Sequence, residues 1–233
     1  MCENDNFLLS VIIPAYNEEE TVAAVVRRVL DTPYRKEIIV IDDGSRDATA
    51  EEVRRVADGS VTLISHERNK GKGSALSTGF AQAHGDIIIV QDADFEYDPA
   101  CYPALIQPIR DGRADVVYGS RFLAGAERRV QRFWHYAGNR FLTLWSNIWS
   151  DLNLSDMETG YKVFRREVLS GIELREHGFG VEPELTHKIA RQRWRIYEVP
   201  VSYSGRTYEE GKKIGLKDAF RALWCVVRYS IAD

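Results

Sequence analysis

The chain opens on a short apolar run, Leu8-Leu9-Ser10-Val11-Ile12-Ile13, stopped by Pro14, and strand-like and helix-like patterns alternate from there. Residues Glu19 to Leu30 repeat their apolar positions at helical spacing. Lys36 to Ile41 reads as a second strand, emptying into Asp42-Asp43-Gly44-Ser45, and a helix capped near Ser45 or Asp47 runs to about Ala57. A third strand is predicted over Val61 to Ser65, a helix over Gly73 to Ala83, and a fourth strand over Asp86 to Val90. Strands and helices alternating at this spacing predict right-handed crossovers and a parallel sheet. Ligands of such open sheets bind beyond the carboxyl ends of the strands. The polar clusters at those ends are therefore the site candidates: Pro14-Ala15-Tyr16-Asn17-Glu18, Asp42-Asp43-Gly44-Ser45, Asn69-Lys70-Gly71-Lys72-Gly73 and Asp92-Ala93-Asp94.

The pattern changes after about Gly119. No repeat and no low-complexity linker intervenes, so residues 1–233 read as one domain with an elaborated second half. On a helical wheel, Phe133, Trp134, Phe141, Leu142, Leu144, Trp145, Ile148 and Trp149 fill one half of a helix from Phe133 to Ser150. His135, Asn139, Arg140, Ser146, Asn147 and Ser150 fill the other. A second amphipathic helix, Leu216 to Ile231, gathers Phe220, Leu223, Trp224, Val227 and Ile231, flanked by Lys213, Lys217, Arg221 and Arg228. Two readings stand side by side: the apolar faces turn into the core, or they insert at a membrane interface where Trp and Arg are favoured.

Composition narrows the class. A formal charge of −4 argues against a nucleic-acid partner, which needs a net basic face. Cys2, Cys101 and Cys225 have neither metal-ligand spacing nor a disulfide framework, which fits a reducing cytoplasm. Met1 to Asn6 is polar and unlike a signal sequence, and no apolar run approaches the roughly 18 residues that span a bilayer. The expectation is a cytoplasmic chain, peripheral on the inner face of the membrane if the two helices dock there.

The chemistry concentrates in Ile87-Ile88-Ile89-Val90-Gln91-Asp92-Ala93-Asp94-Phe95-Glu96. A buried strand that ends in carboxylates at alternate positions brings Asp92, Asp94 and Glu96 to one face, where they can converge on a single point. Three hard oxygen donors there suit Mg²⁺ or Mn²⁺ carrying a diphosphate. Asp42 and Asp43, between a strand and a helix, are placed to accept from a base or a ribose hydroxyl, and one of them serves equally as a helix cap. Asn69-Lys70-Gly71-Lys72-Gly73-Ser74 precedes a helix, so its backbone N–H groups and lysines are candidates for a phosphate. It lacks the Walker A spacing of an ATPase.

Taken together, these residues resemble the family-2 glycosyltransferases of GT-A fold, and more closely their polyprenyl-phosphate branch, the dolichyl-phosphate mannose synthase-like enzymes. The motifs are Val11-Ile-Ile-Pro-Ala-Tyr-Asn-Glu18, Val40-Ile-Asp-Asp-Gly-Ser45, Gly71-Lys-Gly73, Asp92-Ala-Asp94, Gly119-Ser-Arg121, Asp156-Met-Glu-Thr-Gly160 and Arg206 followed by Gly211-Lys-Lys213. The resemblance implies an α/β, Rossmann-like and mostly parallel sheet flanked by helices, with C-terminal amphipathic helices. It implies a nucleotide-sugar-binding half, 7–120, and an acceptor-binding half, 121–233. Pro14, Tyr16, Glu18, Asp42, Asp43, Lys72, Gly73 and Asp92 would bind the nucleotide of a GDP- or UDP-hexose. Asp92, Asp94 and Glu96 would hold Mg²⁺ or Mn²⁺; many members of the branch carry Gln at the position of Glu96. Arg121, His135, Thr159, Arg206 and Lys213 would grip the phosphate of a polyprenyl acceptor, with His135 standing where an arginine is common, unless Arg132 substitutes. Asp92, Asp94, Arg121, Arg206 and Lys213 would be the catalytic set, and transfer would invert the anomeric centre.

Two other reactions compete. A hydroxyl acceptor would need a carboxylate base, for which Glu182 and Glu184 in Phe179-Gly-Val-Glu-Pro-Glu184 are the candidates. A nucleotidyltransferase would share the sheet and the acidic site but open on a glycine- and arginine-rich loop, which Pro14-Ala-Tyr-Asn-Glu18 is not.

Overall fold

The computed structural model describes residues 7–206 and 216–231. Its elements in chain order are β1 (Leu9–Ala15), α1 (Val22–Leu30), β2 (Lys36–Asp42), α2 (Thr49–Val56), β3 (Val61–Ser65), α3 (Lys72–Gln82) and β4 (Ile87–Val90). They continue with α4 (Tyr102–Arg110), β5 (Val116–Ser120), α5 (Phe133–Ser150), β6 (Lys162–Arg165), α6 (Arg166–Leu169), α7 (Val181–Arg191), β7 (Ile196–Pro200) and α8 (Leu216–Ile231). The strands form one sheet in the order β3-β2-β1-β4-β6-β5-β7. Only β6 runs against its neighbours, β4 and β5. The expected α/β sheet is present, mostly parallel as the alternation predicted.

The period of two along each strand decides which helices it meets. Leu9, Val11 and Ile13 of β1, Ile38 and Val40 of β2, and Ile87 and Ile89 of β4 face one core with Val22, Val25, Val29, Leu105 and Ile109. Ile12, Ile39, Ile41, Ile88 and Val90 face the other, with Leu76, Val181, Leu185 and Ile189. Both faces are covered, so the central strands read as unbroken apolar runs.

The topology also fixes where a ligand can sit. From β1 the chain winds outward through β2 to β3, and then returns past β1 to β4 on its other side. This reversal opens a crevice at the carboxyl ends of β1 and β4. The register places Ala15 beside Asp42 and Ile12 beside Val90, so β1 and β2 end at one level and β4 stops three residues short of it.

In the second half, several of the largest apolar side chains do not turn into the core, as one of the two readings had it. In α5 the buried residues are Thr143 and Ser146, while Phe133, Trp134, Phe141, Leu144, Ile148 and Trp149 are exposed. In α8, Ala222, Cys225, Val226 and Tyr229 are buried, whereas Phe220, Trp224 and Ile231 are exposed. α5 therefore buries small hydroxylated side chains and α8 buries Ala222, Cys225, Val226 and Tyr229, while several of the largest apolar side chains of both helices turn outward. Ser146 of α5 and Ser230 of α8 both meet the His187 ring of α7, at 3.3 and 3.0 Å.

Candidate active site

A cavity of about 750 Å³ lies over the crevice. Pro14, Tyr16, Glu18 and Asp43 line it from the β1 and β2 ends, Asp92, Asp94 and Glu96 from beyond β4, and Arg121 from the end of β5. Gln131, His135 and Asn139 line it from the start of α5, and Arg206 closes it. Residues far apart in sequence thus meet in one space, and most of the expected set is among them.

The carboxylates beyond β4 do not share one face. The strand ends at Val90, and residues 91–98 follow a series of bends, so the alternation that would align them stops. Asp92 turns to Lys72 Nζ at 2.9 Å, and the same ammonium reaches Glu182 at 3.2 Å. Burial works against the charged lysine, but Asp92 and Glu182 outweigh it and hold Lys72 above its ordinary pKa. Asp94 accepts from Arg206 Nη2 at 2.5 Å. Burial, with the neighbouring charges of Asp92 and Glu96, nevertheless pushes Asp94 up to about 7. Both oxygens of Glu96 are engaged, Oε2 by the Tyr203 hydroxyl at 2.9 Å and Oε1 by the Arg206 backbone N–H at 2.7 Å. Glu96 here anchors the segment leading to Arg206, whose guanidinium also grips both oxygens of Glu18 at 3.1 Å.

Among the described residues no three histidine, cysteine or carboxylate side chains already converge as an ion-binding set. The donor chemistry still fits a divalent cation. Asp92 and Asp94 are hard oxygen ligands on the cavity wall, with the carboxylates of Glu18 and Glu96 beside them.

Arg121 is tied more tightly than a free phosphate clamp. Its Nε and Nη2 donate to the two oxygens of Asp156 at 2.7 Å each, and its backbone N–H donates to the same carboxylate at 2.9 Å. The ring of Tyr203 lies 5.2 Å from the guanidinium. Arg121 therefore lines the wall as half of a buried ion pair, with its remaining edge toward the cavity.

Three expected residues among the described ones stand apart from the cavity wall. Asp42 accepts from the Ser45 N–H at 3.0 Å and shapes the turn after β2. The Thr159 hydroxyl is buried and donates to the Gly119 carbonyl at 2.5 Å. Gly73 packs so closely on the segment before α7 that an added Cβ would lie 1.9 Å from the Glu176 carbonyl oxygen. Lys213 lies outside the described residues. The expectation of open N–H groups in the 69–74 loop also meets a different use. Lys70 and Gly71 donate to the Asp43 carboxylate at 3.0 and 2.6 Å, and Gly73 and Ser74 donate to the His177 carbonyl at 2.7 and 3.2 Å. The loop presents its Lys72 side chain to the cavity rather than a row of free amides. Asp43, also paired with His66 Nδ1 at 2.6 Å, organises that loop from the cavity floor.

The two candidate bases are committed elsewhere. Glu182 lines the cavity but is shared between Lys72 and Lys162. Glu184 is buried outside it and accepts from the Arg175 and Glu176 backbone N–H groups at 2.8 and 2.7 Å and from Lys188 at 2.9 Å.

Sequence reasoning passed over Gln131 and Glu158, both of which line the cavity. Glu158 sits inside the quoted Asp156–Gly160 motif, and its place there was the available signal. Gly160 shows how closely that turn approaches the acidic site, because a Cβ on it would fall 2.2 Å from Asp92 Oδ2.

Comparison with known proteins matches this arrangement. The chain is 31% identical over 216 residues to the undecaprenyl-phosphate mannosyltransferase of Micrococcus luteus, covering 88% of this chain and 86% of that one. It is 32% identical over 213 residues to the undecaprenyl-phosphate 4-deoxy-4-formamido-L-arabinose transferase of Pseudomonas aeruginosa, covering 88% of this chain and 60% of the relative. Among solved structures, glucosyl-3-phosphoglycerate synthase from Mycobacterium tuberculosis, in complex with Mn²⁺, UDP and phosphoglyceric acid, superposes with a TM-score of 0.75 at 21% identity, covering 98% of this chain and 80% of that one. That likeness is one of fold and bears out the GT-A architecture. The sequence model of the family described as Glycosyl transferase family 2 matches residues 10–172, and with the crevice and the Asp92/Asp94 pair in place the chain belongs to that family as a glycosyltransferase.

Proposed function

We propose that the chain transfers a hexose from a GDP- or UDP-sugar to the phosphate of a polyprenyl lipid at a membrane surface, with inversion at the anomeric carbon. The observation that carries this reading is the continuity of the cavity. It runs from nucleoside-type contacts at Pro14, Tyr16 and Asp43, past Asp92 and Asp94, to Val130 and Trp134, which are exposed on the apolar side of the molecule. The two curated relatives described above are named for undecaprenyl phosphate but for different sugars, which supports the acceptor class and leaves the sugar open. The donor belongs with the half spanning residues 7–120 and the acceptor with residues 121–233.

The reaction follows from charge. An oxygen of the acceptor phosphate attacks the anomeric carbon, the bond from that carbon to the diphosphate breaks, and the nucleoside diphosphate leaves with the electron pair. A phosphate monoester has its second pKa near 6, so the nucleophile is already largely dianionic at pH 7 and requires no general base. This agrees with the engagement of Glu182 and Glu184 by lysines. A Mg²⁺ or Mn²⁺ ion held by Asp92 and Asp94 would neutralise charge developing on the leaving diphosphate. Lys72 orients Asp92, and Arg206 and the open edge of Arg121 supply fixed positive charge in the cavity, with no reorganisation required during transfer. Lys213 is proposed to add to this charge on the acceptor side.

The cytoplasmic leaflet is the proposed site of action. Among the described residues no helix is long and apolar enough to cross a membrane. The outward Trp, Phe and Ile side chains of α5 and α8 give a peripheral contact instead.

The test is transfer of labelled sugar from a panel of UDP- and GDP-sugars to polyprenyl phosphate in detergent, with Mg²⁺, with Mn²⁺ and with EDTA. An organic-extractable, mild-acid-labile product that disappears with EDTA is expected. Donor hydrolysis without a lipid product would sink the acceptor assignment and leave the nucleotide-sugar site standing.

A further inference from the structure

Buried polar atoms normally find partners, and each one left without costs about 1–3 kcal/mol. Among the described residues four buried side-chain atoms have none: Gln131 Oε1, Trp145 Nε1, Glu158 Oε1 and Arg206 Nε. Three of these four residues line the cavity, and the two oxygens among them are hydrogen-bond acceptors. An unpartnered acceptor on a residue of the cavity wall calls for a donor. A diphosphate offers only acceptors and negative charge, and a polyprenyl tail offers neither. The donors in the proposed reaction are the ribose hydroxyls and base N–H groups at the nucleoside end and the hydroxyls of the transferred sugar.

The location agrees. Glu158 lies two residues before Gly160, which packs directly on Asp92, so it stands next to the diphosphate end of the cavity rather than the nucleoside end at Tyr16 and Asp43. The turn that carries it is pinned on both sides. Asp156 is held by Arg121, the Thr159 hydroxyl by the Gly119 carbonyl, and the Gly160 N–H donates to the Tyr97 hydroxyl at 2.9 Å. Gln131 enters from the segment leading into α5. Burial and the charge of Glu182 push Glu158 up to about 7, against Lys162 and Arg121, so the site is not one where a surrounding cation already satisfies the carboxylate.

We propose that Glu158 and Gln131 hydrogen-bond hydroxyls of the transferred sugar and thereby select which sugar the chain accepts. The inference rests on the donor being a nucleotide sugar. Both residues are specificity-determining contacts on the part of the donor that the nucleotide does not include.

That distinction supplies the experiment. Isothermal titration in Mg²⁺ buffer compares GDP with GDP-mannose and UDP with UDP-glucose, for the wild-type chain and for Glu158→Ala, Glu158→Gln and Gln131→Ala. The expected result is that the preferred nucleotide sugar loses about tenfold or more in affinity in Glu158→Ala while the matching nucleotide diphosphate is unchanged. Glu158→Gln, which keeps an acceptor oxygen, should lose less. The monodeoxy forms of that sugar should identify one hydroxyl whose removal costs the wild type tenfold and costs Glu158→Ala almost nothing. Equal weakening of nucleotide and nucleotide sugar, or no change in either, overturns the inference. A wild-type chain that binds neither nucleotide nor nucleotide sugar overturns the donor assignment of the preceding section and this inference with it.

Discussion

At the residue scale, Lys72 is the hinge of the acidic site. It stands between two carboxylates, Asp92 and Glu182, and Glu182 in turn is held by Lys162. Breaking one partner of such a buried set leaves charge without compensation, which typically costs about 3–5 kcal/mol. Lys72→Met is therefore expected to lower unfolding stability in urea by about that much and to weaken nucleotide binding, because Asp92 loses its orienting contact. Adding Glu182→Gln should lower stability further, because buried Lys162 then loses its carboxylate as well. Arg206 makes a second test. Its guanidinium answers Glu18 and Asp94 together, and Lys cannot reproduce the two-pronged grip. Arg206→Lys should reduce kcat/KM by 10²-fold or more, about 3 kcal/mol of lost transition-state stabilisation, in a steady-state transfer assay. An Arg206→Lys enzyme with wild-type kinetics would remove Arg206 from the reaction. The identity of these residues was legible in the sequence, since each sits in a motif at a strand end. Their pairing was not. Nothing in the spacing of Asp92 and Asp94 says that one faces a lysine and the other an arginine more than a hundred positions on, because the bends after Val90 break the period on which that spacing was read.

At the scale of elements, α5, α7 and α8 are joined at one buried ring. His187 of α7 meets Ser146 of α5 and Ser230 of α8, and burial drops its pKa from 6.5 to about 4. The folded state therefore prefers the neutral ring. A lowered folded-state pKa means that the unfolded chain takes up the proton first as pH falls, so stability is complete above about 6.5 and declines from there toward 4. The decline from this one group is about 3 kcal/mol, the free-energy equivalent of the shift. His187→Gln should be less stable than the wild type at pH 8 but should lose less on going to pH 4.5, measured as the difference in urea midpoints. Parallel pH curves for the two proteins would show that His187 is not the responsive group. These helices also mark the limit of sequence reading. The bounds of α5 and α8 follow from their periodicity and match the structure residue for residue, Phe133–Ser150 and Leu216–Ile231. Which face is inward does not follow. A helical wheel shows that apolar residues are gathered, and the habitual inference buries them. Here Thr143 and Ser146 of α5 and Ala222, Val226 and Tyr229 of α8 turn inward, while Trp134, Ile148, Phe220 and Trp224 are left outside.

At the scale of the molecule, that inverted packing produces a surface that a freely dissolved protein has no use for. Trp134 is 81% exposed, Phe220 72% and Ile148 66%, on two helices that pack side by side. Exposed apolar patches of this kind mark interaction sites. The occupant argued for here is a lipid surface, because Val130 and Trp134 belong both to the exposed set and to the cavity wall, so a lipid acceptor would reach the site without leaving the bilayer. Arg132, just before α5, and Arg228 of α8 are exposed and suit anionic headgroups, each worth about 1 kcal/mol near such a surface. Full burial of a side chain such as Ile or Phe contributes about 1.5–3 kcal/mol. Ile148→Ser and Phe220→Ser, neither lining the cavity, should therefore each weaken sedimentation with phosphatidylglycerol-containing vesicles by about tenfold or more, and the double variant by the product. Nucleotide binding in solution should stay as in the wild type, and transfer to a water-soluble short-chain polyprenyl phosphate should fall far less than transfer to the same phosphate on a long chain in vesicles. If the double variant sediments with vesicles as well as the wild type, the apolar face of α5 and α8 is not the membrane contact. If both acceptors suffer alike, the two helices shape the cavity itself rather than deliver it to the lipid.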